Sequence, residues 1–306
     1  MVKKVIILVE TPLQLMCAYE AMSNEIRPTK IYLRLTGRGR NDEQLINMAK
    51  ILEIDFFVFS LETRKVILGL LRNSMFLIKL FFSGGSVVYV GSYFSKCLRF
   101  IKNIIRPDEV YFLDDGMATF LAQQKMKVSG DIESIFTFFN VMPLSGQKII
   151  RHQFDNLMKK FPCQLIKGSY FIGQPLTAHG YVSEDEYINC VKKALEDAQD
   201  NQIIYIPHRV EEDAFVDKIS QLSGVTVIYT KTCIELFFLK NGFGPEKIYG
   251  CSSTAFFSLA GMFPNCALHS YHIPNDKYNS IPHLEDIYNA MKKIPNIKMS
   301  TIGSSI

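Results

Sequence analysis

The chain opens MVKKVIILVETPLQ, residues 1–14. Its apolar run, Val5 to Val9, stops at Glu10, and no small-residue cleavage site follows. A secretory leader needs a longer apolar stretch and such a site, so the run reads as a first buried strand. The pattern recurs in KIYLRLT (30–36), DFFVFS (55–60), SVVYVGS (86–92) and EVYFLD (109–114), with helical stretches at 12–25, 41–52, 64–82 and 94–104 between them. Continuous β-branched and aromatic runs separated by helices imply a parallel sheet covered on both faces. A turn-rich pause covers 140–182 and includes KIIRHQFDNLMKKF, a basic stretch that reads as helical. The pattern then resumes with a helix over 183–199, opened by Ser183 and acids, and strands QIIYIP (202–207), VTVIYT (225–230), EKIYG (246–250) and CALHSY (266–271). The expectation is an α/β chain of two Rossmann-like domains, 1–155 and 156–306, whose last helix, near 282–294, packs back on the first.

Composition narrows the class. Of 306 residues 48% are hydrophobic and 21% charged, enough apolar material for real cores and too much for global disorder. A net charge of +4 is too mild to argue for nucleic-acid binding. The seven cysteines are scattered, odd in number and without CxxC spacing, which points to reduced thiols in a cytoplasm and away from a zinc site. No stretch reaches the length of a membrane span. The nearest, RKVILGLLRNSMFLIKLFFSGG (64–85), is broken by Arg72, Asn73 and Lys79 and reads as an amphipathic helix, either core-facing or touching a membrane surface.

Four places carry the residue types that chemistry needs. In VYFLDDGMATF (110–120) a strand ends at Asp114 and Asp115, followed by Gly116, whose freedom permits a turn. An ordinary aspartate is ionised at neutral pH and can take a proton from an attacking hydroxyl; the alternative is a solvated turn with a helix cap. In IIYIPHRVEED, His208 follows a strand and Pro207, and Arg209 adds a fixed positive charge. A histidine there can serve a leaving phosphate or have no role. In IYGCSSTAFFSLAGMF, Gly250 ends a strand and Ser252, Ser253 and Thr254 precede a helical run, which makes either an anion site or an ordinary cap. In YTKTCIELFF, Glu235 opens a helix after a strand, placed either to hold ribose hydroxyls or to serve the helix dipole. Thr11 and Gln14 follow the first strand and could reach a ligand. Gly37 and Arg38 lie in a basic loop, LTGRGRNDEQL, read as a cleft rim. Neither loop carries a dinucleotide or phosphate-loop fingerprint.

Taken together, Asp114-Asp115-Gly116, then His208, then Ser252-Ser253 resemble the ordered motifs of bacterial sialyltransferases: the lipooligosaccharide enzymes (glycosyltransferase family 52), the capsule polysialyltransferases and the family 80 enzymes. Glu235, 27 residues after His208 and 17 before Ser252, is similar to that superfamily's ribose-binding acid. The opening ETPLQLMCA also looks like the first strand and turn of the family 52 and polysialyltransferase-like proteins. One departure is His208-Arg209, where several branches have His-Pro. The resemblance implies a GT-B fold, two Rossmann-like domains facing a central cleft. It further implies a CMP-sialic acid donor, a glycan acceptor, inversion at the anomeric centre, and no metal or other cofactor. The implied roles are a base at Asp114 or Asp115, with a family lean to Asp114, and His208 at the leaving phosphate, which Ser252, Ser253 and Thr254 help hold. Other CMP-activated acids such as Kdo, or CMP binding without turnover, stay open as alternatives. The expected setting is cytoplasmic, with peripheral membrane contact and self-association both open.

Overall fold

The computed structural model describes residues 4–60, 74–82, 86–163, 165–199, 201–273 and 284–301. The chain forms two compact units: Met1–Lys160 with Lys231–Cys233, and Phe161–Thr230 with Ile234–Ile306.

The first unit runs β1 (Val5–Val9), α1 (Pro12–Ser23), β2 (Thr29–Leu35), α2 (Gly39–Ile51), β3 (Phe56–Ser60), α3 (Ser74–Phe81), β4 (Val87–Val90), α4 (Lys96–Ile105), β5 (Glu109–Leu113), α5 (Ala118–Ser129), β6 (Ser134–Thr137), β7 (Ile149–Arg151) and α6 (Asp155–Lys160). Its seven strands lie in the order β3-β2-β1-β4-β5-β6-β7, and every ladder is parallel. β1 is wholly buried because both of its faces are covered, which is why its sequence shows no polar alternation. One face packs on Leu80 of α3, Leu98, Ile101 and Ile105 of α4, and Ala122 and Met126 of α5. The chain reverses its order across the sheet between β1 and β4, the switch point where open α/β sheets take ligands beyond their carboxyl ends.

α1 differs from a surface helix. It starts at Thr11, whose hydroxyl accepts the Gln14 amide at 3.4 Å, and Pro12 sits in its first turn, where a missing N–H costs nothing. Gln14, Cys17 and Glu20 recur at three-residue spacing along one side, and all three are buried. Glu20 accepts the Leu157 amide at 2.8 Å and the Asn156 amide at 3.2 Å, satisfying orphan donors at the start of α6.

The second unit runs β8 (Leu165–Ile166), β9 (Ser169–Ile172), α7 (Glu184–Asp197), β10 (Ile203–Ile206), α8 (Asp213–Ser220), β11 (Val225–Val227), α9 (Ile234–Lys240), β12 (Phe243–Gly244), β13 (Lys247–Gly250), α10 (Ala255–Met262), β14 (Ala267–His272), α11 (Leu284–Met291) and β15 (Ile297–Thr301). Six strands form a parallel sheet in the order β11-β10-β9-β13-β14-β15, with its switch point between β9 and β13, and β12 pairs separately with β8. α7 begins at Ser183, whose hydroxyl accepts the Glu186 amide at 3.2 Å, with three acids in the first turn facing the positive helix end.

Two sequence expectations change, and one strand is added. KIIRHQFDNLMKKF is not one helix: Ile149–Arg151 is an edge strand, and only Asp155–Lys160 is helical. The pause over 140–182 hides β9, a central strand of the second sheet. The last helix is followed by one more parallel strand, β15, which makes α11 a crossover. Its Tyr288 ring lies 4.4 Å from the His272 ring of β14, within the second unit. Of the amphipathic stretch 64–85, residues 64–73 and 83–85 lie outside the described residues. Among the described residues no helix is long and apolar enough to cross a membrane.

Candidate functional site

The carboxyl edge of the first sheet carries the acidic pair, and the two side chains have different surroundings. Asp114 is 0% exposed. Its Oδ2 accepts the Phe138 amide at 2.7 Å, and the Thr137 and Thr119 hydroxyls lie near the carboxyl group. Burial pushes its carboxyl up to about 7 against the pull of those donors. Asp115 is half-exposed, and its Oδ1 accepts from Gln14 Nε2 at 2.7 Å. Its backbone amide donates to Thr119 Oγ1 at 3.1 Å. Gly116 then turns the chain into α5 at φ 64°, a left-handed conformation that a side chain would strain. Of the two carboxylates, Asp115 is therefore the one with surface exposure, and Asp114 is wholly buried next to it.

Gln14 is held at its other end, since its Oε1 accepts the Glu10 amide at 2.8 Å. Glu10 in turn accepts Arg34 Nη1 at 2.5 Å and Ser95 Oγ at 3.0 Å, and its carbonyl accepts Asn41 Nδ2 at 3.0 Å. This network ties the ends of β1 and β2 to the starts of α2 and α4. Sequence reasoning missed Glu10, Arg34 and Ser95. Their signals are polarity just after a buried strand for Glu10, near the end of one for Arg34, and a helix-cap position for Ser95. Thr11 serves as the α1 cap. Gly37 and Arg38 are exposed, and the Gly37 amide is taken by the Asp42 carboxylate at 2.8 Å. That loop is anchored by the first turn of α2, with the Arg38 side chain at the surface.

The carboxyl edge of the second sheet carries the remaining candidates. Pro207, His208 and Arg209 leave β10 half-buried. His208 Nδ1 accepts the Val210 amide at 3.3 Å, so the proton of the neutral ring sits on Nε2. Burial, with lesser push from Arg209 and His179, drives the imidazole down to about 4. The ring is therefore a neutral N–H donor at pH 7. Glu211, one of the acids in IIYIPHRVEED, is 3% exposed. It accepts Tyr205 Oη and the His208 amide, each at 2.6 Å, and burial pushes it up to about 7.

Gly250 is the buried end of β13, and Cys251 donates its amide to Gln174 Oε1 at 3.2 Å. Gln174 thereby joins the end of β9 to that of β13 across the switch point. Ser252 is buried, and Ser253 Oγ accepts the Ala255 amide at 3.3 Å. Thr254 makes no side-chain cap bond at the start of α10. This strand-to-helix turn gathers the Ser252, Ser253 and Thr254 hydroxyls at the start of α10, where an anion could be held, while the first helix amides are taken within the turn, Phe256 by the Ser253 carbonyl at 3.2 Å and Phe257 by the Thr254 carbonyl at 3.1 Å. Glu235 is buried at the start of α9 and accepts Ser258 Oγ of α10 at 2.5 Å, so its position is tied to the helix that follows this turn.

No family model matches the chain, and no curated protein matches it. Solved structures do. Arabidopsis thaliana UGT89C1 complexed with UDP-L-rhamnose superposes with TM-score 0.56 at 8% identity, covering 98% of this chain and 85% of that one. UDP-GlcNAc 2-epimerase from Methanocaldococcus jannaschii, in complex with UDP-GlcNAc and UDP, gives 0.55 at 11%, covering 97% and 89%. Anabaena Alr3699/HepE in complex with UDP and glucose gives 0.53 at 10%, covering 90% and 82%. At such identities the likeness is one of fold. The two parallel sheets, of seven and six strands with helices between them, give the chain a GT-B fold.

Proposed function

We propose that the chain is an inverting sialyltransferase, with no metal in the transfer chemistry, that moves sialic acid from CMP-sialic acid to a glycan hydroxyl, as in capsule or lipooligosaccharide synthesis. One observation carries the reading. Every motif of the sialyltransferase resemblance falls just past the carboxyl end of a strand, where such sheets take ligands: Asp115 after β5, His208 after β10, Ser252 and Ser253 after β13. Three fold relatives, whose structures hold UDP-L-rhamnose, UDP-GlcNAc with UDP, or UDP with glucose, support a nucleotide-sugar donor. In this reading the first unit serves the acceptor and the second the donor.

The chemistry follows from the groups present. Departure of CMP leaves positive charge at the anomeric carbon and negative charge on the phosphate. The Ser252, Ser253 and Thr254 hydroxyls stabilise the phosphate. His208 Nε2–H donates to it, and the arriving anion raises the affinity of that ring for its proton. Asp115 takes the proton of the acceptor hydroxyl as it attacks, with Gln14 fixing the carboxylate's orientation. Glu235 accepts hydrogen bonds from ribose hydroxyls. Peripheral contact with the inner membrane face and self-association belong to the same proposal.

A panel of CMP-sugars and UDP-sugars, assayed for donor hydrolysis and for transfer, tests it. CMP-sialic acid is the expected donor. Turnover of CMP-Kdo or another CMP-acid alone changes the sugar and keeps the mechanism, and turnover of UDP-sugars alone overturns the reading. CMP binding with no turnover of any donor makes the chain a nucleotide-binding protein instead.

A further inference from the structure

The polar side of α1 contacts three different segments of the first unit. Gln14 has its partner in Asp115, and Glu20 has its partners at the start of α6. Cys17, midway between them and 0% exposed, faces Asp114 and His152. The three candidate ligand atoms (the thiol sulfur, a carboxylate oxygen and an imidazole nitrogen) lie within 4.8 Å of one another. Asp114 Oδ1 has no hydrogen-bond partner, and neither imidazole nitrogen of His152 has one. His152 is 7% exposed and is enclosed by aromatic rings, stacked on Phe136 at 4.5 Å and edge-on to Phe154 at 4.8 Å. Buried polar atoms are nearly always paired, because stripping water from them without replacement is costly. Here orphaned atoms of two side chains point into one space beside a thiol.

The geometry points to a buried transition-metal site, with Zn²⁺ as the natural occupant, held by Cys17 Sγ, Asp114 Oδ1 and a ring nitrogen of His152. Thiolate with imidazole selects zinc-like ions over magnesium or calcium. Zinc bonds of about 2.3 Å to sulfur and about 2.0 Å to nitrogen and oxygen put ligand atoms about 3.3–3.6 Å apart. Side-chain rotation closes the remaining distance. The thiol gives its proton to solvent on binding, so a thiolate, a carboxylate and a neutral imidazole balance the double charge. Three protein ligands leave a fourth position for a water.

Burial of all three ligands keeps substrate from the ion, so its role is structural. It fastens α1, the end of β5 and the segment after β7 at one point, directly under Asp115. Gln14 and Cys17 lie on one face of the same helix, and Asp114 and Asp115 are consecutive. The ion therefore fixes both the proposed base and its partner. Its existence does not depend on the sugar donor.

The test is metal content of the purified full chain, incubated with ZnCl₂ and passed through gel filtration, then read by elemental analysis. The expected result is a stoichiometry near one zinc per chain, a melting temperature that falls on chelation and recovers with ZnCl₂, and, with Co²⁺, a thiolate charge-transfer band. Cys17→Ala and His152→Ala should bind zinc more than about tenfold more weakly, the loss that even an outer-shell partner causes. Cys163→Ala, which removes an exposed thiol, should keep it. Wild-type chain that retains no zinc and gives no cobalt–thiolate band overturns the site. So does a crystal structure with only a water among the three side chains and no anomalous signal at the zinc edge. These readouts on the wild-type chain stand even where a variant fails to fold.

Discussion

Gln14 and Asp115 stand 101 residues apart in sequence and 2.7 Å apart in the fold. The amide is clamped at both ends, by the Glu10 N–H and by the carboxylate. It has little freedom to follow Asp115 if that side chain shifts. Replacing Gln14 with Ala should lower kcat with little effect on donor KM, by about tenfold to a hundredfold, the worth of a hydrogen bond to a charged group. A Cβ at Gly91 would collide with the Gln14 side-chain amide, so Gly91→Ala should reproduce that loss. The double variant should be little worse than either single one, since both remove the same contact. Fully additive losses in steady-state assays would separate Gly91 from Gln14.

Asp114 and Asp115 should give different variants. Asp115→Ala should reduce turnover by about 10²–10⁴-fold, the usual contribution of a positioned base. Asp114→Ala leaves the Phe138 amide unpaired in the interior and should lower stability by about 1–3 kcal/mol. Turnover assays alongside thermal unfolding separate the two, and an Asp115→Ala enzyme with wild-type turnover removes Asp115 from the mechanism.

His208 should act through an N–H donor. Gln offers an N–H in a similar place and cannot titrate, so His208→Gln should retain far more kcat than His208→Ala. With the free ring pushed down to about 4, the pH profile of kcat/KM should show no limb from this residue between pH 6 and 7. Equal loss in both variants, with a limb near neutrality in the wild type, would point to proton transfer instead.

Glu211 sets a pH dependence of stability. Its folded value, about 7, exceeds the ordinary 4.5, so the folded state holds a proton that the unfolded chain releases first. That contribution is complete below pH 4.5 and is lost as pH rises through about 7, on the order of 3 kcal/mol in all. Glu211→Gln should therefore gain on the wild type as pH rises from 4.5 to 7. Denaturant unfolding of both proteins across that interval measures the gain, and a constant difference between them refutes it.

The strands of the first sheet from β1 to β5 were legible in the sequence because each is built on a short run rich in β-branched and aromatic residues, interrupted in β2 only by Arg34. β7 was not, since three residues at a sheet edge, Ile149–Arg151, run straight into a basic segment with helical character. β9 was hidden differently. SYFI is four residues long and is followed by Gly173 and a turn-rich loop, so its centrality comes from neighbours β10 and β13 that the local pattern cannot reveal. The same limit governs the site. Asp115, His208 and the Ser252-Ser253 pair announce themselves by position after strands. The division of labour within the aspartate pair, the burial of Glu211, and the meeting of Cys17 with His152 are products of packing between distant segments. His152 lay in a stretch read as helical and carried no other mark.

The all-parallel ladders also bear on how the chain is made. β1 is made before its sheet partners, as five unbroken apolar residues, yet one of its two neighbours, β4, begins only at Val87. Until then one edge of a fully hydrophobic strand has nothing to pair with. In the second unit β9 likewise waits for β13, which begins at Lys247. Long waits before non-local pairing make assembly slow and leave sticky edges open. Heterologous production should gain from slowed synthesis or added holdase chaperone more than from any change at the surface of the finished fold.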